Sequence, residues 1–120
     1  MSLALACTIA VSQLAFGMYD PRSPAPHDSS AAVRWECAAP ARILLDGGAD
    51  RQLRGPRGSL RYGLYLDPGR AQPWGDGTRG TSMMTLPAGR SGATIFARIH
   101  AGQNQPPGTY SDAVLVIVQF

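Results

Sequence analysis

The sequence predicts an all-β fold, an antiparallel sandwich of the immunoglobulin type, in one domain over residues 1–120. Three observations predict it. Apolar residues recur with period two in short runs, and no stretch sustains the period of a helix. Gly, Pro, Asp and Asn punctuate those runs, and 14 glycines with 10 prolines make up a fifth of the 120 residues. Seven such runs at this spacing suit two packed sheets. Hydrophobic residues at 44% with charged residues at 16% exclude a disordered chain. The longest strictly apolar run, Ala113 to Val118, falls far short of the ~20 residues of a membrane-spanning helix.

The first strand is Thr8 to Phe16. Its apolar phase shifts from Ile9 and Val11 to Leu14 and Phe16, the mark of a bulge or of a strand that changes sheets. Residues 17–30 hold Pro21, Pro24 and Pro26 and read as a loop. Ala31 to Cys37 alternates cleanly, with Val33, Trp35 and Cys37 on one face and Arg34 and Glu36 on the other. Arg42 to Leu45 is short and ends at Asp46-Gly47-Gly48. Arg51, Arg54, Arg57 and Arg61, interrupted by Gly55, Pro56 and Gly58, read as a flexible basic loop. It is either solvated or a site for an acidic polymer. Leu60, Tyr62, Leu64 and Leu66 line one face of the next strand, which stops at Asp67-Pro68-Gly69. Trp74-Gly75-Asp76-Gly77 is a turn with an aromatic anchor. Ser82 to Leu86 is a weak strand, and Thr94 to His100 presents Ile95 and Ile99 on one face. Gln105-Pro106-Pro107-Gly108 turns the chain into its last strand, Thr109 to Phe120.

That last strand is apolar on both faces: Val114, Val116, Val118 and Phe120 on one, Ala113, Leu115 and Ile117 on the other. Such a strand wants cover on both sides. It ends the chain, so nothing following it can supply a neighbour, and an exposed edge of this kind invites aggregation. A strand added from another chain would remove the hazard.

Cys7 shares the parity of Ile9 and Val11, and Cys37 that of Val33 and Trp35, so both thiols point inward if both segments are strands. Two inward thiols on neighbouring strands could bond. A loop of about 30 residues closed this way is worth roughly 3.5 kcal/mol and implies an oxidising compartment. The alternative is two separate buried thiols. The apolar stretch from Leu3 has no preceding cation, so an export signal is read as already removed, with Met1 and Ser2 a cloning remnant.

Catalytic chemistry is not expected. His27-Asp28 lacks a third ligand nearby, so neither a metal nor another cofactor is expected. There is no Gly-x-Ser-x-Gly elbow for a serine nucleophile. Asp67 and Asp76 flank Trp74 but sit beside glycines in turn sequences, where Asp caps its own backbone. The net charge of +3 is modest, and a nucleic-acid partner is not expected.

Cys7-Thr8, then Phe16-Gly17-Met18-Tyr19-Asp20, then Cys37, resembles the opening of the spore coat protein U domain. Tyr62-Gly63-Leu64-Tyr65 is similar to its central strand and Trp74-Gly75-Asp76-Gly77 to the following turn. Pro107-Gly108-Thr109-Tyr110-Ser111-Asp112 before Val114-Leu115-Val116 resembles its ending. That family includes spore coat protein U and the subunits of archaic chaperone–usher pili. The resemblance implies an incomplete immunoglobulin-like sandwich that lacks its last strand and is completed by a donor strand. A periplasmic chaperone supplies that strand first. At the outer-membrane usher, the N-terminal extension of the next subunit replaces it. The resemblance also implies a Cys7–Cys37 disulfide and a partner-strand groove lined by Ile9, Val11, Val114, Val116, Val118 and Phe120. It implies a secreted protein that passes through the periplasm to the cell surface. Only Met1 to Ala6 precede Cys7, short for a donor, so the chain reads as truncated, as a domain cut from a longer protein, or as a terminal subunit that accepts a strand and donates none, with Leu3 and Leu5 the stub of a donor segment. The expected function is a structural subunit of a pilus or spore coat, which in isolation could pair with itself by strand swapping. A second reading is a tip adhesin-type domain that recognises a carbohydrate or a surface through Trp74, Arg51, Arg54 and Arg57.

Overall fold

The computed structural model describes residues 7–12, 14–46, 48–114 and 116–119. Among them lie eight strands and no helix: β1 Cys7–Val11, β2 His27–Cys37, β3 Ala41–Leu45, β4 Arg51–Arg54, β5 Ser59–Tyr65, β6 Met84–Leu86, β7 Gly89–Ile99 and β8 Val116–Gln119. They form a five-stranded sheet in the order β1-β2-β7-β5-β4 and a three-stranded sheet in the order β6-β3-β8. Every ladder is antiparallel. The architecture is the immunoglobulin-like sandwich that the period-two pattern predicts.

The inner faces follow from side-chain alternation. On β2, Ala31, Val33, Trp35 and Cys37 are buried while Arg34 and Glu36 face solvent. Ile95, Ala97 and Ile99 of β7 and Leu60, Tyr62 and Leu64 of β5 continue the same layer. Ile43 and Leu45 of β3 with Leu86 of β6, all at 1% exposure or less, close on it from the smaller sheet. Cys7 lies directly opposite Cys37 in the β1–β2 ladder, and the two are disulfide-bonded.

Five elements differ from the sequence reading, one of them β7, which starts at Gly89 and not at Thr94 because its ladder with β2 runs on to Cys37↔Gly89. β2 starts at His27, inside the expected loop, because its ladder with β7 runs unbroken from His27↔Ile99 to Cys37↔Gly89. β1 stops at Val11: the Ser12 amide donates to Ala32 O (2.9 Å) and the Ser12 hydroxyl accepts from the Ala32 amide (2.8 Å). This is the point where the apolar phase slips. The basic loop is largely a hairpin. Arg51 and Arg54 belong to β4 and Arg61 to β5, paired from Arg51↔Tyr62 to Arg54↔Ser59. The final strand is split. Ser111 exchanges two backbone hydrogen bonds with Arg54 on the larger sheet (2.7 and 2.9 Å), and the chain then crosses to pair with β3 as β8. Phe120 and residues 1–6, with the donor stub expected there, lie outside the described residues.

The turns behave as their composition predicts. The Asp67 carboxylate accepts from the amides of Ala71 and Gln72, and the Gln72 bond chiefly holds it below the usual carboxylate range. Asp76 is held low chiefly by the Thr78 hydroxyl, with that residue's amide beside it.

Candidate functional site

The two segments that leave their ladders are the two sides of one opening. After β1, residues 12 and 14–17 run along the edge of the sandwich without entering a strand. Residues 109–114 do the same before β8. The two meet where the Tyr19 amide donates to Gly108 O (2.8 Å), and the Tyr19 and Tyr110 rings pack edge to face there, centroids 6.0 Å apart. Between them lies a cavity of about 630 Å³. Its lips carry Val11, Leu14 and Phe16 on one side and Tyr110, Val114 and Val116 on the other. Its floor is the core itself: Leu45, Leu53, Tyr62, Leu64, Trp74 and Ile95.

Both lips offer backbone as well as apolar side chains. Among the described residues, the amides of 14–17 and of 112–114 have no hydrogen-bond acceptor. β8 pairs with β3 along one edge, and its other edge has no ladder among the described residues. Val11 at 54% and Val116 at 40% are among the exposed large hydrophobic residues, and both stand on the lips. An elongated apolar trough flanked by unpaired backbone can take one extended peptide, whose main chain bonds the lips while alternate side chains enter the floor. Polar groups here are few. The Tyr62 hydroxyl donates to Asp112 Oδ2 at 2.6 Å, and burial first, then that carboxylate, push the phenol well above its ordinary range.

Of the groove residues implied by resemblance, Val11, Val114 and Val116 line the cavity. Ile9 and Val118 pack against the core outside it. Phe120 lies outside the described residues. Leu14, Phe16 and Tyr110 were not expected there; the phase slip at Ser12 was the signal that residues 14–16 leave the first sheet edge. The surface set divides. Trp74 is 4% exposed, and its indole N–H donates to Ile43 O (3.0 Å), so it is a core residue and not a platform. Arg51 is likewise buried, donating from Nη1 to Asp46 O (3.1 Å). Arg54 and Arg57 are exposed. His27 and Asp28 do not act together: Asp28 accepts two bonds from Arg98 (2.7 and 3.1 Å), which chiefly hold its carboxyl below the usual range. Among the described residues, no cluster of three His, Cys, Asp or Glu is placed to hold a metal.

The chain is similar to known proteins in both sequence and fold. The model of the Spore Coat Protein U domain family matches residues 1–117. Protein U of Myxococcus xanthus is 37% identical over 62 residues, 51% of this chain and 34% of that protein. The chain thus matches about a third of that relative's length. The fold is similar to a chain in the crystal structure of the CsuC–CsuE chaperone–tip adhesion subunit pre-assembly complex from archaic chaperone–usher Csu pili of Acinetobacter baumannii. The TM-score is 0.61 at 19% identity, over 96% of this chain and 40% of that one. At that identity the likeness is one of fold.

Proposed function

We propose that this chain, which belongs to the Spore Coat Protein U domain family, is a structural subunit of a secreted surface polymer, a pilus or a spore coat, assembled by strands donated between polypeptides. The observation that carries the reading is the apolar groove on whose lips, among the described residues, the amides of 14–17 and 112–114 have no acceptor. A periplasmic chaperone fills it first and a neighbouring subunit's extension replaces the chaperone at the usher. Burying four or five large apolar side chains of a donor is worth roughly 6–15 kcal/mol as an upper bound. That is comparable to the stability of a whole domain, about 5–15 kcal/mol. One strand can therefore displace another without nucleotide hydrolysis. The disulfide supports passage through an oxidising compartment. The role is architectural rather than catalytic.

Periplasmic co-expression with a cognate chaperone tests it. The native chain is expected to co-purify with the chaperone in one-to-one ratio. Val116→Asp, on an exposed lip residue whose change spares the core, should abolish the complex while leaving the β-sheet circular dichroism intact. A stable native monomer that ignores the chaperone, or a Val116→Asp chain that binds it equally well, would refute the reading.

A further inference from the structure

Segments 51–66 and 98–111 together carry five arginines and no acidic residue. The rest of the chain carries six arginines and all eight acidic residues, so the positive balance of +3 originates in these two segments. The fold brings them together. The Arg61 amide donates to Gln103 Oε1 (2.6 Å) and Gln103 Nε2 donates back to Arg61 O (2.8 Å). Arg54 and Ser111 exchange backbone bonds, and the hairpin closes with the Gly55 amide on Gly58 O at 2.9 Å. A Cβ at Gly55 would strike the Tyr110 ring and one at Gly58 the Gln105 side chain, so the hairpin tip lies flush on the 105–110 segment.

Within this face Arg98 is taken by Asp28 and Arg51 is buried. Arg54, Arg57 and Arg61 remain exposed, and none forms an ion pair with a described residue. Arg54 pairs with Ser59 and Gln52 with Arg61, so Arg54 and Arg61 stand diagonally on the outward face of one two-stranded ribbon, with Arg57 at its tip. Like charges so placed repel one another, and a protein surface ordinarily intersperses acids among them. Here the relief must come from outside.

We propose that the outward face of the β4–β5 hairpin binds an acidic polysaccharide, with Arg54, Arg57 and Arg61 holding its carboxylate groups. Guanidinium groups match carboxylates in a two-pronged geometry, and a polymer supplies the repeated negative charge. Gln52 and Ser59, exposed between the arginines, offer hydrogen bonds to sugar hydroxyls. A ring also lies on this face: half-buried Tyr65, in phase with Ser59 and Arg61 and lying over Gly63, offers a sugar ring a packing surface, and because it could equally stack a nucleobase the test includes DNA. The site is separate from the groove, so it stands whether or not a donor strand fills that groove.

Binding of the full chain to immobilised alginate, neutral dextran and double-stranded DNA, across a salt series, tests the assignment. Alginate is expected to bind and dextran not, with affinity falling as salt rises. The triple variant Arg54→Gln, Arg57→Gln, Arg61→Gln should lose roughly 10- to 100-fold, as three exposed charge contacts predict. A charge-matched control, the triple variant Arg34→Gln, Arg42→Gln, Arg79→Gln at arginines exposed elsewhere, should change affinity by less than about threefold. Equal losses in variant and control would reduce the effect to net charge and overturn the site. Alginate binding no stronger than dextran would overturn the ligand. Tighter binding to DNA would overturn it in favour of a nucleic acid.

Discussion

The Tyr62–Asp112 hydrogen bond ties the buried floor of the groove to its lip. The Tyr62 pKa is raised in the fold, first by burial and then by the carboxylate acceptor. An unfolded tyrosine ionises near pH 10, whereas this one stays neutral beyond that point. Its contribution is therefore complete below about pH 10 and is lost as pH climbs from there toward the folded value. Tyr62→Phe should cost about 1 kcal/mol at neutral pH and flatten the loss of stability between roughly pH 9 and pH 11. Urea melts at both ends of that range check it, and an unchanged slope would assign the alkaline limb to other groups. Gly75 is a second sensitive position. A Cβ there would lie 2.5 Å from Thr81 Oγ1 and 2.6 Å from its Cβ, and Thr81 is itself buried, holding the turn through Thr78 and Gly77. Gly75→Ala should therefore destabilise by about 1–3 kcal/mol in thermal or urea unfolding, through overpacking. Residue-scale reading of the sequence succeeded where polarity and burial agree, as at Val33, Trp35 and Ile99. It failed at Arg51, because an arginine in an inward slot is indistinguishable in sequence from one in solvent, and at Trp74, whose indole is satisfied by a carbonyl 31 positions away.

β1 is an edge strand of five residues, held on one side by β2 and by the Cys7–Cys37 bond. The disulfide fixes the end of β1 away from the groove, while the Ser12–Ala32 bonds hold the end where the lip begins. Cys7→Ser with Cys37→Ser should cost about 2–4 kcal/mol of stability. Hydrogen exchange should quicken in β1 before it does in β3, and uniform quickening would mean that the bond acts on the whole sandwich instead. The elements legible from the sequence were those with one apolar and one polar face. The first half of β2, with His27, Asp28, Ser29 and Ser30, lacks that contrast and is recognisable only from its ladder to β7. β4 was hidden for the same reason. The last strand failed in the opposite sense: apolar residues on both faces suggested continuous pairing from Thr109, whereas the chain spends 109–114 passing between sheets.

For the molecule as a whole, the sheet architecture and the family followed from short-range signals: alternation, turn dipeptides and an ordered set of motifs. The groove entered only through the resemblance, which placed Val11, Val114 and Val116 on it but missed Leu14, Phe16 and Tyr110, because its lips come from residues about a hundred positions apart. What the sequence did register was the cost of leaving it empty, a terminal stretch too apolar for an exposed edge.

The junction of Tyr19 with Gly108 limits how that cleft is used. If a donated strand occupies the cleft as proposed, the extremity at Tyr19 and Gly108 is stitched shut to it and the one at Val11 and Val116 is its mouth. The stitch is then an end stop, and a ribbon too long for the cleft must leave its surplus trailing at the mouth. The bridge would in this way serve as a ruler, setting which residue of the visitor sits over which part of the floor.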